Sequence, residues 1–180
     1  ILKKEDEVLT VAGEKGGSNT QLNSIAYDEF PSIPKIEDEG QKVNGKTMAL
    51  GIKTTAFAAS QSSIKPELGS VYIYQKKEHT ATFVATDSFR LMEKTVPQKG
   101  VTLNQSMLLP QKNALEIARV CELYEDDPVL KINENQCAFE FSDGFYITSR
   151  LTTGNFPDYE QIIPKEYESS VVLLKDDLLQ

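Results

Sequence analysis

The chain has 180 residues, 39% hydrophobic and 26% charged, an ordinary balance for a globular protein that buries roughly 70% of its unfolded surface without covalent staples. A formal net charge of −8 argues against a protein built on phosphate contacts, unless its few bases gather on one face. One histidine and two cysteines (Cys121 and Cys137) make no zinc set, and no apolar run reaches membrane-spanning length, so the expectation is a reduced, cytoplasmic protein without metal or cofactor.

In chain order, "DEVLTVAG" reads as a strand and "GEKGGSN" as loop, and "DEFPSIPKIEDEG" reads as a connector because of its two prolines and acid cluster. The opening "ILKKEDEVLTVAG" begins as if partway through a strand, and "SSVVLLKDDLLQ" stops where an apolar strand gives way to a helix start. The chain therefore reads as a piece of something longer. Gly45 to Ser60 has helical periodicity, with Met48, Ala49, Ile52, Ala56 and Ala59 on one face and Leu50 and Phe57 opposite, beside Lys46 and Lys53. Gly51 and the threonines weaken that helix.

"SVYIYQKKEHTATFVATDSFRLMEKTV" alternates through two hairpins, with His79 in a solvated turn. After the strand "SMLLP", a second helix is expected over Gln111 to Glu125. Pro110 suits its first turn, and Ala114, Ile117, Ala118 and Cys121 form its apolar stripe. "VLKINENQCAFEFSDGFYITSRL" then repeats strands joined by polar turns, and Pro157 puts "GNFPDYEQIIP" along a sheet edge. The order helix, three strands, helix, three strands, with a strand entering each helix, is a duplicated βαβββ unit. It predicts an α+β domain with two helices packed on one face of the sheets.

Asp87-Ser88-Phe89 and Asp143-Gly144-Phe145 occupy equivalent turns, where aspartate's short side chain caps local backbone. No nucleophile elbow, phosphate loop or Cys–His pair is present; Asp87, Asp143, Asp158 and Glu160 are the carboxylates open to an acid–base reading. Lys46 and Lys53 on the first helix, and Lys112 and Arg119 on the second, each lie seven apart on one stripe, and Lys65 follows in a loop. These bases read either as a solvated face or as weak, sequence-independent phosphate contacts.

"FVATDSFRL" followed by "GNFPDYEQIIP" resembles the sliding-clamp family of bacterial replication, the beta subunit of DNA polymerase III. In that family a strand ending in Thr-Asp precedes a small residue, an aromatic or histidine, and Arg-Leu, and a Phe-Pro-Asp-Tyr segment closes the same domain. "KPELGSVYIY", "LLPQKNALEIA" and "DEFPSIP" are similar to further family segments; the likeness is weakest before Leu22. The resemblance implies the tail of a first clamp domain and its connector (1–39), a complete middle domain (40–165) and the start of a third (166–180). It also implies a homodimeric ring around double-stranded DNA, with no catalysis and a nucleoid-associated location.

By position, the resemblance assigns one half of a pocket for short partner peptides to Leu68, Thr86, Ser88, Phe89, Arg90, Leu91, Pro157, Gln161 and Ile162. The pocket's other wall lies in the third domain. Such peptides would come from the polymerase III alpha subunit, the clamp loader, repair polymerases and the complex holding the 3′–5′ exonuclease. Lys65 and Lys112 match sites that approach DNA in the family; Lys46, Lys53 and Arg119 join them by helical spacing alone. Ser88 departs from the glycine of many relatives, and a positive φ there costs about 1 kcal/mol. Phe89 stands where many have histidine or tyrosine. The alternatives are a carboxylate-dependent enzyme using Asp87 and Asp158, or a generic peptide-binding module.

Overall fold

The computed structural model describes residues 1–13, 17–62 and 64–179; part of the expected "GEKGGSN" loop, Ser63 of the loop after the first helix, and Gln180 lie outside the described residues. Two compact units result, Ile1–Lys35 and Ile36–Gln180.

In the first unit, β1 (Leu2–Glu5), β2 (Val8–Ala12) and β3 (Asn19–Asn23) form an antiparallel meander in that order. Sequence reading finds only β2. β1 is hidden because "LKKE" is fully exposed and turns back at Asp6 (φ 51°), and β3 because "NTQLN" is polar and exposed throughout.

The second unit runs β4 (Gln41–Lys42), α1 (Gly45–Ala56), β5 (Ser70–Tyr74), β6 (Thr80–Thr86), β7 (Leu91–Pro97), β8 (Met107–Pro110), α2 (Gln111–Leu123), β9 (Val129–Ile132), β10 (Gln136–Glu140) and β11 (Tyr146–Arg150), ending with a short α3 (Lys175–Leu178). Its two antiparallel sheets have the orders β7-β6-β5-β8 and β11-β10-β9-β4. The entry strands are exchanged. β4 leads into α1 of the first half but pairs with β9 of the second, whereas β8 leads into α2 but pairs with β5 of the first.

Both helices and both sheets share one core, in which Met48 and Ile52 of α1 and Ile117 and Cys121 of α2 meet Ile73, Phe83, Phe139 and Leu130. Leu50 and Phe57 are exposed on the far side of α1, as its periodicity requires. Gly51 faces the core, where an added Cβ would stand 2.4 Å from the Phe83 ring; glycine lets α1 settle directly on that ring. The residue that weakens the helical pattern is the one that allows the helix to pack.

Four expectations need correction. α1 ends at Ala56, not Ser60, because Ala58 and Ala59 donate to carbonyls three residues back and Ser60 turns to the Leu68 carbonyl. α2 ends at Leu123, because Tyr124 adopts extended backbone and packs its ring on Phe141 and Phe145, at 4.2 and 5.4 Å. The segment around Pro157 does not run along an edge. Phe156 stacks on Tyr72 at 4.9 Å and Tyr159 bonds Tyr74 and Glu93, which lays the segment across the sheet face opposite the helices. Finally, residues 171–174 pair with no strand among the described residues, and their side chains are exposed.

Candidate functional site

The corner between β6 and β7 is built by Thr86 and Asp87. The Thr86 hydroxyl donates to the Arg90 carbonyl (2.7 Å) and accepts from Ser88 N–H (3.1 Å). Asp87 Oδ1 accepts from Phe89 N–H (3.0 Å) and Arg90 N–H (2.9 Å), and Oδ2 meets Arg90 Nε at 3.0 Å. The Arg90 and Phe89 amides hold the Asp87 carboxyl below its usual range. Ser88 sits at φ 77°, the left-handed conformation in which glycine carries no penalty.

The second copy, one residue longer between its paired strand ends, shares two of these features. Gly144 lies at φ 86° and Asp143 Oδ1 accepts from Phe145 N–H at 2.9 Å. The two phenylalanines then diverge. Phe145 packs on Phe141 and Tyr124, whereas Phe89 projects 98% exposed. Local chemistry explains the turn in both copies, but it does not explain a bare aromatic in one of them. Arg90 is fixed from two sides, by Asp87 and by the Phe57 ring 5.7 Å from its guanidinium carbon.

Beside this corner lies the strap that carries Pro157, Gln161 and Ile162. Its single-turn 3₁₀ helix, Tyr159–Ile162, exposes Gln161 and Ile162 and buries Tyr159 to 5% exposure. The Tyr159 hydroxyl donates to Glu93 Oε2 at 2.5 Å and lies 2.7 Å from the Tyr74 hydroxyl. Burial, together with these two partners, raises the Tyr159 phenol far above its ordinary value. Glu93 and Leu91 point to the same side of β7, about 7 Å apart along the strand, so Tyr159 ties the strap to the strand that leaves the corner. Leu68 is buried beneath the loop after α1, its carbonyl taking Ser60 N–H at 2.8 Å. The predicted wall therefore divides into a corner (Thr86, Ser88, Phe89, Arg90, Leu91), a strap (Pro157, Gln161, Ile162) and a buried support (Leu68).

The carboxylates of the acid–base reading are separately engaged. Asp87 serves its own turn, and Asp158 Oδ2 accepts from Gln161 Nε2 at 2.6 Å. Of the bases, Lys46, Lys53, Lys112 and Arg119 are exposed on the helices and Lys65 on the loop. Lys53 meets Glu122 of α2 at 2.9 Å, and Arg119 lies 4.0 Å from Glu116. Two structural residues escaped the sequence reading. Asp127 Oδ1 accepts from Gly45 N–H at 3.0 Å, and Gln98 Oε1 accepts from Asn44 N–H at 2.8 Å; together they cap α1 from positions 82 and 54 residues away. Tyr159 was visible in "FPDY", but nothing in its spacing marks it as an anchor.

Comparison with known proteins finds a family model, described as the central domain of the DNA polymerase III beta subunit, matching residues 42–158. The beta sliding clamp of Helicobacter pylori is 30% identical over 187 aligned residues, covering 98% of this chain and 47% of its own length. A crystal structure of the H. pylori beta clamp with 3,4-difluorobenzamide superposes with a TM-score of 0.80 at 28% identity, covering 98% of this chain and 48% of that one. Another H. pylori clamp, bound to a DNA ligase peptide, gives 0.75 at 28% identity, covering 93% and 47%. The chain spans about half the length of the curated relatives it matches. With the duplicated fold and the matched central domain together, the chain belongs to the DNA polymerase III beta subunit family.

Proposed function

We propose that this chain is part of a replication sliding clamp, a non-catalytic ring that encircles duplex DNA and tethers its polymerase and other DNA-processing proteins. Residues 1–39 are then the tail of a first clamp domain with its connector, 40–165 the middle domain, and 166–180 the start of a third. The observation that carries the reading is the contrast between the two copies of one turn. Both turns carry a left-handed residue and an aspartate bonded to the phenylalanine amide, yet Phe145 packs on two rings at 41% exposure whereas Phe89, with no ring partner among the described residues, is 98% exposed. An exposed ring, a fixed arginine and the apolar Pro157 and Ile162 make half a groove for a short peptide, in the manner of the relative that carries a ligase peptide.

The helix pair on the opposite face is the DNA side in this reading. Lys46, Lys65, Lys112 and Arg119, with Lys53 partly neutralised by Glu122, give loose contacts to phosphate that allow sliding, while the chain stays acidic elsewhere. No helix among the described residues is long and apolar enough to cross a membrane, and a clamp at work would be cytoplasmic on the nucleoid.

The test is an amide chemical-shift titration of the chain with a short glutamine- and leucine-rich clamp-binding peptide. Even millimolar binding, about −4 kcal/mol, is visible this way. Shifts are expected at Leu68, Thr86 to Leu91 and the strap, and Phe89→Ala should weaken them while leaving the melting midpoint within about 0.5 kcal/mol, as for other surface truncations. No shifts in the unaltered chain would overturn the preformed half-pocket.

A further inference from the structure

We infer that Tyr159, through Glu93 and Tyr74, is a positioning residue that holds the strap in its peptide-competent place. The inference rests on the pocket reading above. Among residues 157–179 Tyr159 alone is buried; Pro157, Gln161 and Ile162, the strap's share of the wall, are all exposed. The 3₁₀ helix that carries Gln161 and Ile162 is a single turn with no side-chain cap on its backbone, too short to be stable by itself.

Three contacts tie this segment to the sheet. Phe156 stacks on Tyr72 ahead of the wall residues; Lys76 meets Glu160 at 2.7 Å; and Tyr159 reaches Glu93 and Tyr74. The Lys76 pair is exposed on both sides and screened, which makes it a weak tie. The Phe156 stack leaves the following residues free to swing. The Tyr159 hydroxyl is different. It makes a short bond, 2.5 Å, from a buried ring to a part-buried carboxyl, on the strand that also supplies Leu91.

A hinged wall binds only in the fraction of molecules where it is in place, and apparent affinity falls by that fraction. Tyr159 touches no peptide on this reading; it sets the fraction.

The experiment compares peptide affinities of the 180-residue chain, by the same titration, for Tyr159→Phe, Ile162→Ala, their double variant and Phe89→Ala. Tyr159→Phe keeps the ring packed against Phe156 and removes only the hydroxyl. It is expected to weaken the peptide about three- to tenfold, the loss of one such bond. In the Ile162→Ala background the same change should lose most of its effect, because the wall it positions has gone. A merely structural role would give equal effects in both backgrounds, and that result overturns the inference. So does a Tyr159→Phe chain that binds like the unaltered one while Phe89→Ala and Ile162→Ala bind more weakly; the pocket then survives without its anchor. If the unaltered chain gives no shifts, or both pocket variants bind as it does, the pocket reading fails and takes the inference with it.

Discussion

Asp87 is held by two backbone amides and the Arg90 side chain, so its proton leaves more easily in the folded chain than in the unfolded one. The sign follows. As pH falls, the unfolded state takes up its proton first, near the ordinary value of 3.8, so stability drops from there down through the depressed folded value. Asp126, similarly depressed by the Ser142 amide, adds to the same slope. Urea midpoints measured between pH 6 and pH 2 should therefore fall in the acid range. Asp87→Asn should be less stable than the parent at pH 6 and converge with it at the acid end; a gap that stays constant across the range would contradict this account. The same turn shows why local reading worked at this scale: aspartate, a small residue and an aromatic within one corner specify both copies. The fate of the ring was only half legible: Phe141, which packs on Phe145, closes the same turn, but the second ring, Tyr124, comes from the distant end of α2.

Among the elements, Gly51 pits two known effects against each other. Alanine in a helix interior gains about 1 kcal/mol over glycine, but its Cβ would meet three ring carbons of Phe83 at 2.4–2.8 Å, inside a core where Phe83 is fully buried. Overpacking of that kind costs about 1–3 kcal/mol. The clash should win, with Gly51→Ala destabilised by about 1 kcal/mol in chemical denaturation; a stabilised variant would mean that α1 can lift off the sheet. Helical and strand periods put both helices and the six strands that follow them in place, because their apolar residues recur at those spacings. The strap went astray for the opposite reason. Pro157 correctly excludes a central strand, but it says nothing of the aromatic stack that draws the segment over the sheet face. Likewise, the caps on α1 by Asp127 and Gln98 join residues too distant in sequence for any local pattern to foretell.

At the scale of the whole molecule, the core that both helices and both sheets of the larger unit share makes a prediction about cooperativity. Cys121 lies on α2 and Cys137 on β10, both buried, and burial lifts each thiol to about 12. Neither should react with a thiol probe in the native chain, since the thiolate is the reactive form. Because both belong to one core cluster, they should be labelled together as urea opens the Ile36–Gln180 unit, read by mass spectrometry. Early labelling of Cys121 alone would show that the second helix loosens independently.

The exchanged entry strands reach further than stability. A chain cut at Lys99–Gly100 would yield one piece that lacks β8, the edge of its own sheet, and another that lacks β4. Neither piece could close its hydrogen-bond ladder, yet each carries the strip that the other lacks. The halves of this domain are thus a handshake between two like units, fused by a connector, and the handshake is why a duplicated sequence behaves as one body.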